Sequence, residues 1–427
     1  MNAGREAQLK FDKPLKKNYM QACGFIICYL ALLTGIAACD PAKETPDPNN
    51  ILTSGTAEIY LTPAEGNVNT FVKITGTGFG NNRKDVTVKF NNVPALVKEV
   101  ADKTILTVVP VTATTGKVSV TINDYTVYSA GNFTVLTKNI SAFTGTWVRK
   151  ADFLGINRSG VSAFANATTG FVTLGGAGDF VYKDTWQYQP ARDIWDVQSA
   201  FPGIPRFSAV SFTIDKKAYV VTGFAYFKPG KINDFWEFDT ETFVWTKKAD
   251  FPGTERKVAV AFTINNKGYV TTGYTDYFAP ELKDMWEYDP VADKWQQKAD
   301  IPFVSRKGAA GFSMGGKGYV GMGTHINNDG SEDGLNDFWE YEPATDKWAR
   351  KADFPEYITL VSTSFVLDQS GYLINGDKEC WQYNPAANKW TEKKPLPIKS
   401  GGLASFVIQN KAYVLEPYIG HLYQFEP

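Results

Sequence analysis

Short runs that alternate between apolar and polar residues cover most of the chain. From residue 56 onward they are rich in Val, Thr, Phe and Tyr, and Asn, Asp, Gly or Pro interrupts them. Alternation with a period of two is typical of strands that bury one face, and turn residues about every eight to twelve positions are typical of all-β domains. No segment has the apolar spacing of an amphipathic helix. The pattern therefore predicts an all-β protein.

Residues 56–137 form the first β-rich segment, with about seven strand-like runs, the number expected of an immunoglobulin-like sandwich. The segment resembles the IPT/TIG family through Pro63, Gly66 and the run Ile74-Thr75-Gly76-Thr77-Gly78-Phe79-Gly80. A strand follows this run, whereas a phosphate-binding loop is followed by a helix, so its glycines are interpreted as turn residues. The resemblance implies a spacer domain.

Tryptophans recur at regular intervals in residues 141–427. Ten of the eleven fall into pairs nine residues apart. The pairs are Trp186/Trp195, Trp236/Trp245, Trp286/Trp295, Trp339/Trp348 and Trp381/Trp390. An aromatic residue in a β-rich run follows the second member of each pair 24 residues later, or 23 in the last copy. Four-stranded repeats of about 40–50 residues predict a β-propeller, with strands A to D in each blade.

The repeats resemble kelch units through a Pro-x-x-x-Arg stretch, the doublet Gly175-Gly176 and a Trp-x-Tyr-x-Pro run. The chain ends on a strand C, while the segment around Trp147 has the pattern of a strand D with no A, B or C before it. We therefore predict that Trp147 lies in the strand that completes the last blade. The fold class predicted is all-β, with an immunoglobulin-like IPT/TIG sandwich followed by a six-bladed kelch-type β-propeller.

The N-terminal residues resemble those of a bacterial lipoprotein. Lysines precede an apolar run that ends in Ile36-Ala37-Ala38-Cys39, which is similar to a lipobox. This predicts a signal peptide over residues 1–38, lipidation at Cys39 and a flexible tether over residues 39–55. An ordinary signal peptide or an uncleaved anchor helix is the alternative. The expected location is the bacterial outer membrane, at the cell surface or on its periplasmic face.

The charge balance argues against a nucleic-acid partner, because 44 basic and 45 acidic residues give a net charge of −1. Only Cys380 remains of the four cysteines once the signal peptide and the lipidated residue are set aside, so no disulfide framework is expected. We expect no cofactor and a monomeric protein.

One interval of the repeat varies in length, from 9 to 20 residues between the strand B aromatic residue and strand C. It contains the B–C loop, which shares a face of the ring with the D–A loop, and variable loops on one face are typical of a binding surface. The candidate ligand-binding residues there are Arg158, Arg206, Arg256, Arg306, Tyr182, Tyr226, Phe227, Tyr274, Tyr277 and Phe278.

The arginines have two interpretations. They form a clamp for a ligand carboxylate, or they belong to the repeat and pair with an Asp or a backbone group of a neighbouring blade. The acidic residues between 327 and 337 likewise form a calcium loop or a solvated loop; their spacing matches no known calcium loop, and no metal site is expected.

Two enzyme classes are built on propellers of this kind. Galactose oxidase-like enzymes need two histidines, two tyrosines and a crosslinked cysteine, and His325 and His421 are the only histidines here. Sialic-acid mutarotases resemble this chain in blade number and channel arginines, with Glu255 and Glu416 as candidate acid–base groups. No catalytic set stands out from the repeat. The hypothesis favoured is an envelope protein that captures a glycan or a partner protein, with a mutarotase or epimerase as the alternative.

Overall fold

The computed structural model describes residues 58–138, 142–226, 232–275, 281–327, 330–358, 361–398 and 402–427. Residues 51–427 form one compact unit. The described residues are all-β apart from one 3-10 turn, Arg83–Asp85. None of the helical structure in these ranges is long and apolar enough to cross a membrane.

The first domain is a sandwich of two sheets. The first sheet has the order Tyr60–Thr62, Phe71–Thr75, Thr104–Val108, Val97–Ala101. The second has the order Glu65–Gly66, Tyr125–Val135, Gly116–Ile122, Val86–Phe90, Val93–Ala95. Val86–Phe90 shows why the segment folds this way, since its valines and phenylalanine are buried while Thr87 and Lys89 are exposed. The predicted immunoglobulin-like sandwich is confirmed.

Six four-stranded antiparallel sheets follow, each with strands A to D in spatial order. In blades one to three they are Ser162–Ala165, Gly170–Thr173, Thr185–Gln189, Ile194–Gln198; Val210–Ile214, Lys217–Val221, Phe235–Asp239, Trp245–Lys248; Val260–Ile264, Lys267–Thr271, Met285–Asp289, Lys294–Lys298. In blades four and five they are Ala310–Met314, Lys317–Gly321, Phe338–Glu342, Lys347–Arg350; Val361–Leu367, Ser370–Asn375, Cys380–Asn384, Lys389–Lys393. Blade six consists of Ala404–Ile408, Lys411–Glu416, His421–Glu426 and Thr146–Arg149.

The ring closes as predicted. Thr146–Arg149 pairs antiparallel with His421–Glu426, and Trp147 lies opposite Phe425. Each strand A contacts strand A of both neighbouring blades, and blade six contacts blade one. The fold is therefore a six-bladed β-propeller, and its fourth strand in the last blade comes from the start of the domain.

The strand D tryptophans bind adjacent blades together. Each indole N–H donates to a backbone carbonyl of the preceding blade at 2.9–3.2 Å. The pairs are Trp147 to Lys394, Trp195 to Ala151, Trp245 to Ser199, Trp295 to Ala249, Trp348 to Ala299 and Trp390 to Ala352. These residues therefore pack between blades, which explains their constant spacing.

Two short hairpins extend the B–C loops. Gly176–Ala177 pairs with Phe180–Val181 in blade one, and Thr324–Ile326 pairs with Glu332–Gly334 in blade four. The blade-four hairpin accounts for the longest B–C interval, and it projects beside the sandwich.

Candidate functional site

The central channel is lined by the A strands and contains a cavity of about 300 Å³. Its lining residues in the described ranges are small or hydroxylic, and none is titratable. The hydroxyls connect neighbouring blades: Ser162 Oγ donates to the Ala209 carbonyl at 3.0 Å and Ser211 Oγ to the Ala163 carbonyl at 2.9 Å. The described part of the channel lining thus offers neither a charged clamp nor an acid–base group.

The B–C and D–A loops lie on one face of the ring, as predicted. Short backbone bridges join the end of each D–A loop to the start of the B–C loop in the same blade. These are Ser159 with Gly176, Phe207 with Phe224, Lys257 with Tyr274 and Lys307 with Thr324. We call this side of the ring the loop face.

The four repeat arginines lie beneath the loop face and are at most 1% exposed. Each pairs with an aspartate of its own blade, whereas the sequence interpretation placed the partner in a neighbouring blade. The pairs are Arg158–Asp184, Arg206–Asp234, Arg256–Asp284 and Arg306–Asp337. The arginine precedes strand A and the aspartate precedes strand C of the same sheet. The arginine also donates to the carbonyl of the residue that follows strand B.

Each of the three guanidinium nitrogens of Arg256 has a hydrogen-bond acceptor. Its Nη2 lies 2.6 Å from Asp284 Oδ2, its Nη1 donates to the Thr272 carbonyl at 3.2 Å, and its Nε donates to the Thr254 carbonyl at 2.9 Å. The Trp286 indole donates to the same carboxylate at 2.6 Å. Burial raises the pKa of Asp284, but these donors outweigh it and hold that pKa below its ordinary value. The geometry therefore favours the structural role of the repeat arginines over the ligand clamp.

A continuous aromatic and basic surface crosses the loop face over blades two to four. Its members are half-buried or exposed, and we call them the loop-face row: Phe207, Phe224, Tyr226, Lys257, Tyr274 and Lys307. Phe207, Phe224 and Tyr226 form a triangle with ring centroids 5.4–5.5 Å apart.

Lysines continue this row toward blade four. Lys257 Nζ lies 4.1 Å from the Phe224 ring centroid and 4.9 Å from that of Tyr274. Lys307 Nζ lies on the Tyr274 ring at 5.0 Å and pairs with Glu332 at 2.7 Å. These are cation–π distances, and they hold the tyrosine between two ammonium groups.

Two of the predicted tyrosines, Tyr226 and Tyr274, thus belong to one surface. Tyr182 lies apart on blade one, where the Arg158 guanidinium is 4.3 Å from its ring centroid. Phe227, Tyr277 and Phe278 lie outside the described residues, as does Cys39.

Sequence reasoning missed Phe207, Lys257 and Lys307. A signal for them exists, because each directly follows a repeat arginine.

The sandwich covers the loop face at blades four and five. Asp333, in the blade-four hairpin, accepts from Lys98 Nζ at 3.1 Å and from Arg83 Nη1 at 3.2 Å. Tyr357 of blade five packs edge-on against Phe71 at 6.1 Å between ring centroids. The row on blades two to four therefore borders the docked sandwich, and the acidic loop serves docking.

The carboxylates described in that acidic loop already have protein cations as partners. Glu332 pairs with Lys307, Asp333 with Lys98 and Arg83, and Asp337 with Arg306. The described residues contain no group of three or more His, Cys, Asp or Glu side chains arranged to hold a metal ion. Asp329 lies outside them.

A histidine and a buried glutamate connect the B–C loops of blades three and four. Glu281 Oε1 accepts from the Ile326 amide at 2.6 Å, and its Oε2 lies 3.2 Å from His325 Nδ1. His325 Nδ1 also lies 3.0 Å from the Ser305 carbonyl. The glutamate side chain is fully buried while the histidine is about one quarter exposed, with 28% of its side chain accessible. The pair fixes the two loops relative to each other beside Lys307.

The proposed acid–base candidates occupy other places. Glu416 is buried and accepts from the Ile419 amide at 2.6 Å, which stabilises the B–C turn of blade six. Glu255 is half-buried beside Arg256, in the D–A loop of blade three. Cys380 is buried in strand C of blade five and unpaired, and burial raises the pKa of its thiol. Its place at the start of strand C corresponds to that of Phe235, Met285 and Phe338, which are also buried.

Comparisons with known proteins agree with this architecture. Residues 60–135 match the family model of the IPT/TIG domain. The solved structure titled "Structure of YjhT" matches with a TM-score of 0.52 at 18% identity, over 64% of this chain and 94% of its own. A structural genomics protein of unknown function from Bacteroides thetaiotaomicron VPI-5482 matches with a TM-score of 0.48 at 12% identity, over 89% of this chain and 98% of its own. No curated protein matches the chain.

The protein is thus a β-propeller preceded by an immunoglobulin-like domain. Its N-terminal domain matches the IPT/TIG family, and 64% of the chain is similar in fold to the structure of YjhT.

Proposed function

We propose that this protein is a binding protein of the bacterial envelope and that its loop-face row captures a glycan. The observation that carries the proposal is the continuity of the row, in which aromatic rings and lysines alternate across three blades. Aromatic rings stack on the apolar faces of sugar rings, and ammonium groups donate to their hydroxyls or carboxylates. Tyr226 is 51% exposed, so apolar area of the row remains for a ligand to cover.

A partner protein is the second candidate ligand. Aromatic side chains are also enriched in protein interfaces, and the row borders the docked sandwich. The same row serves both candidates, and the identity of the bound molecule distinguishes them.

The mutarotase alternative receives no support from the geometry. The repeat arginines are buried in ion pairs, and the channel lining has no titratable group among the described residues. Glu416 is engaged by a backbone amide. Binding without turnover is therefore the function that we propose.

We also propose that the blades are divergent kelch units and that Cys39 carries the lipid anchor of an outer-membrane protein exposed at the cell surface. The sequence patterns described above support both assignments. The substitution Cys39→Ser is expected to release the protein from the membrane fraction and to abolish incorporation of a labelled fatty acid. If the variant stays in the membrane fraction and still incorporates the labelled fatty acid, Cys39 is not the lipidated residue.

The experiment that tests the binding proposal screens the purified protein against an array of glycans and an array of proteins, while NMR follows anomeric exchange of sialic acids. We expect retention on a glycan and exchange no faster than in buffer. Exchange above the buffer rate favours the enzyme, and retention on proteins alone favours the second candidate.

A further inference from the structure

Blade five lacks the arginine that blades one to four share. In those blades an aspartate stands two residues before the first tryptophan and pairs with the arginine; in blade five this position is Glu379, and the arginine position is occupied by Thr359, outside the described residues. An acidic residue is thus kept where the cation of the repeat is missing.

Lys138 supplies a cation at this place from outside the repeat. It follows the last sandwich strand, and its Nζ lies 2.5 Å from Glu379 Oε1, 2.9 Å from Glu356 Oε1 and 3.0 Å from Glu392 Oε1. The ammonium also lies 5.7 Å from the Trp381 ring centroid. Lys138 thus takes the place of the repeat arginine. In blades one to four that arginine pairs with an aspartate, and the same aspartate accepts from the indole of the corresponding tryptophan.

The cluster of Lys138, Glu356, Glu379 and Glu392 contains more carboxyl groups than ammonium groups. Its side chains are 5–15% exposed, and one ammonium faces three carboxyl groups. Among the described residues, the largest charge effects on Glu356 and Glu379 come from members of the cluster itself. Asn375 donates to Glu379, and the nearby sandwich residues Asn69 and Thr70 are uncharged. Three ionised carboxylates would leave a buried net charge of about −2, which is costly.

A shared proton relieves this excess. Burial, and then the charge of Glu379, raise the pKa of Glu356 to about 8. Lys138 and the donors around Glu379 hold the pKa of Glu379 below its ordinary value, although burial opposes them. Burial also raises the pKa of Glu392, but Glu356, whose pKa rises to about 8, is the carboxyl group to which we assign the proton at neutral pH.

Glu356 belongs to the segment on which the sandwich docks. Its backbone bridges to Thr70, and the next amide, that of Tyr357, donates to the Asn69 carbonyl at 2.8 Å. A charge change at Glu356 consequently acts on the docking contacts themselves.

We propose that Lys138, Glu356, Glu379 and Glu392 form a latch that holds the sandwich on blade five and loosens when the cluster loses its shared proton. The latch controls whether the sandwich stays beside the loop-face row, whatever that row binds. Because the folded pKa of Glu356 lies above its ordinary value of 4.5, the latch is fully stabilised below that value and loses stability as pH rises toward about 8.

Hydrogen exchange of the full-length protein tests the latch through peptides that contain residues 69–71 and 356–358. After correction for the intrinsic exchange rate, we expect protection to fall about tenfold per pH unit between about pH 5.5 and about pH 7.5, because one proton is released on opening. Glu356→Gln should keep these peptides protected throughout this range. Lys138→Met should lower protection at every pH, and Lys138→Arg should restore it.

Glu287→Gln is the matched control, because Glu287 is buried and pairs with Lys267 at 2.9 Å on blade three, away from the sandwich. It should leave the pH response of both peptides unchanged. Protection that does not depend on pH in the wild type, or an unaltered pH response in Glu356→Gln, overturns the latch. Lys138→Met and Lys138→Arg with equal protection would show that the lysine does not act through its charge.

Discussion

At the scale of single residues, burial decides what a charged side chain of the repeat does. Arg256 and Arg350 are both paired with aspartates, but Arg256 has 0% of its side chain accessible and Arg350 has 57%. A buried carboxylate that loses its cation is left without compensation, whereas an exposed one is solvated by water. The same residue type thus has a large structural effect in one place and a small one in another.

We expect Arg256→Met to lower the free energy of unfolding by about 3–5 kcal/mol, because Asp284 would remain buried without its partner. Arg350→Met is the control and should cost less than about 1 kcal/mol, since its pair with Asp353 is exposed. Urea unfolding followed by tryptophan fluorescence measures both. Equal losses in the two variants would contradict the structural role assigned to the repeat arginine.

The sequence predicted where the repeat arginines lie along the chain, but it did not predict that their aspartate partners belong to the same blade. The constant distance from tryptophan to arginine shows that both belong to the repeat, but the burial of the arginine depends on packing that one strand pattern does not contain. Lys138 was missed because it lies outside the repeat. The signal that pointed to an additional cation was Glu379, an acidic residue at the aspartate position of a blade that lacks the repeat arginine.

At the scale of elements, the strand Thr146–Arg149 determines whether the ring closes. It supplies the outer strand of blade six, and the Trp147 indole donates to the Lys394 carbonyl at 2.9 Å, which connects blade six to blade five. Without this strand, His421–Glu426 becomes an edge with unpaired backbone groups and uncovered aromatic residues.

Deletion of residues 141–152 is therefore expected to abolish cooperative unfolding of the ring, as measured by calorimetry. Trp147→Phe keeps the strand and removes only the indole hydrogen bond and part of the packing, so it should lower stability by about 1–3 kcal/mol and preserve the transition. A deletion variant whose melting transition is unchanged would contradict closure by this strand.

At the scale of the whole molecule, the sandwich is more than the spacer expected from its family resemblance. It docks on blades four and five through Asp333 and Tyr357 and so limits the part of the loop face that a ligand reaches. Periodicity within each domain predicted the sandwich, the six blades and the shared loop face. It carried no information on docking, since this depends on contacts between residues such as Lys98 and Asp333 that lie 235 positions apart.

We expect Asp333→Lys to undock the sandwich, because it places a cation against Lys98 and Arg83. Small-angle scattering of the full-length protein should show a larger radius of gyration for this variant. The double variant Lys98→Glu/Asp333→Lys reverses one ion pair and should recover part of the compactness. An unchanged scattering curve for Asp333→Lys would contradict docking by these charges.

The most direct measurement of the central claim is the affinity of loop-face variants for the glycan that gives the strongest array signal. Calorimetric titration should show binding weakened roughly fivefold or more by Tyr226→Ala and by Tyr274→Ala, since removing a central aromatic contact of a binding surface costs more than about 1 kcal/mol. Tyr128→Ala, which removes a ring that is 59% exposed on the sandwich, should bind as the wild type does. Wild-type affinity in both loop-face variants would contradict the assignment of this row as the binding surface.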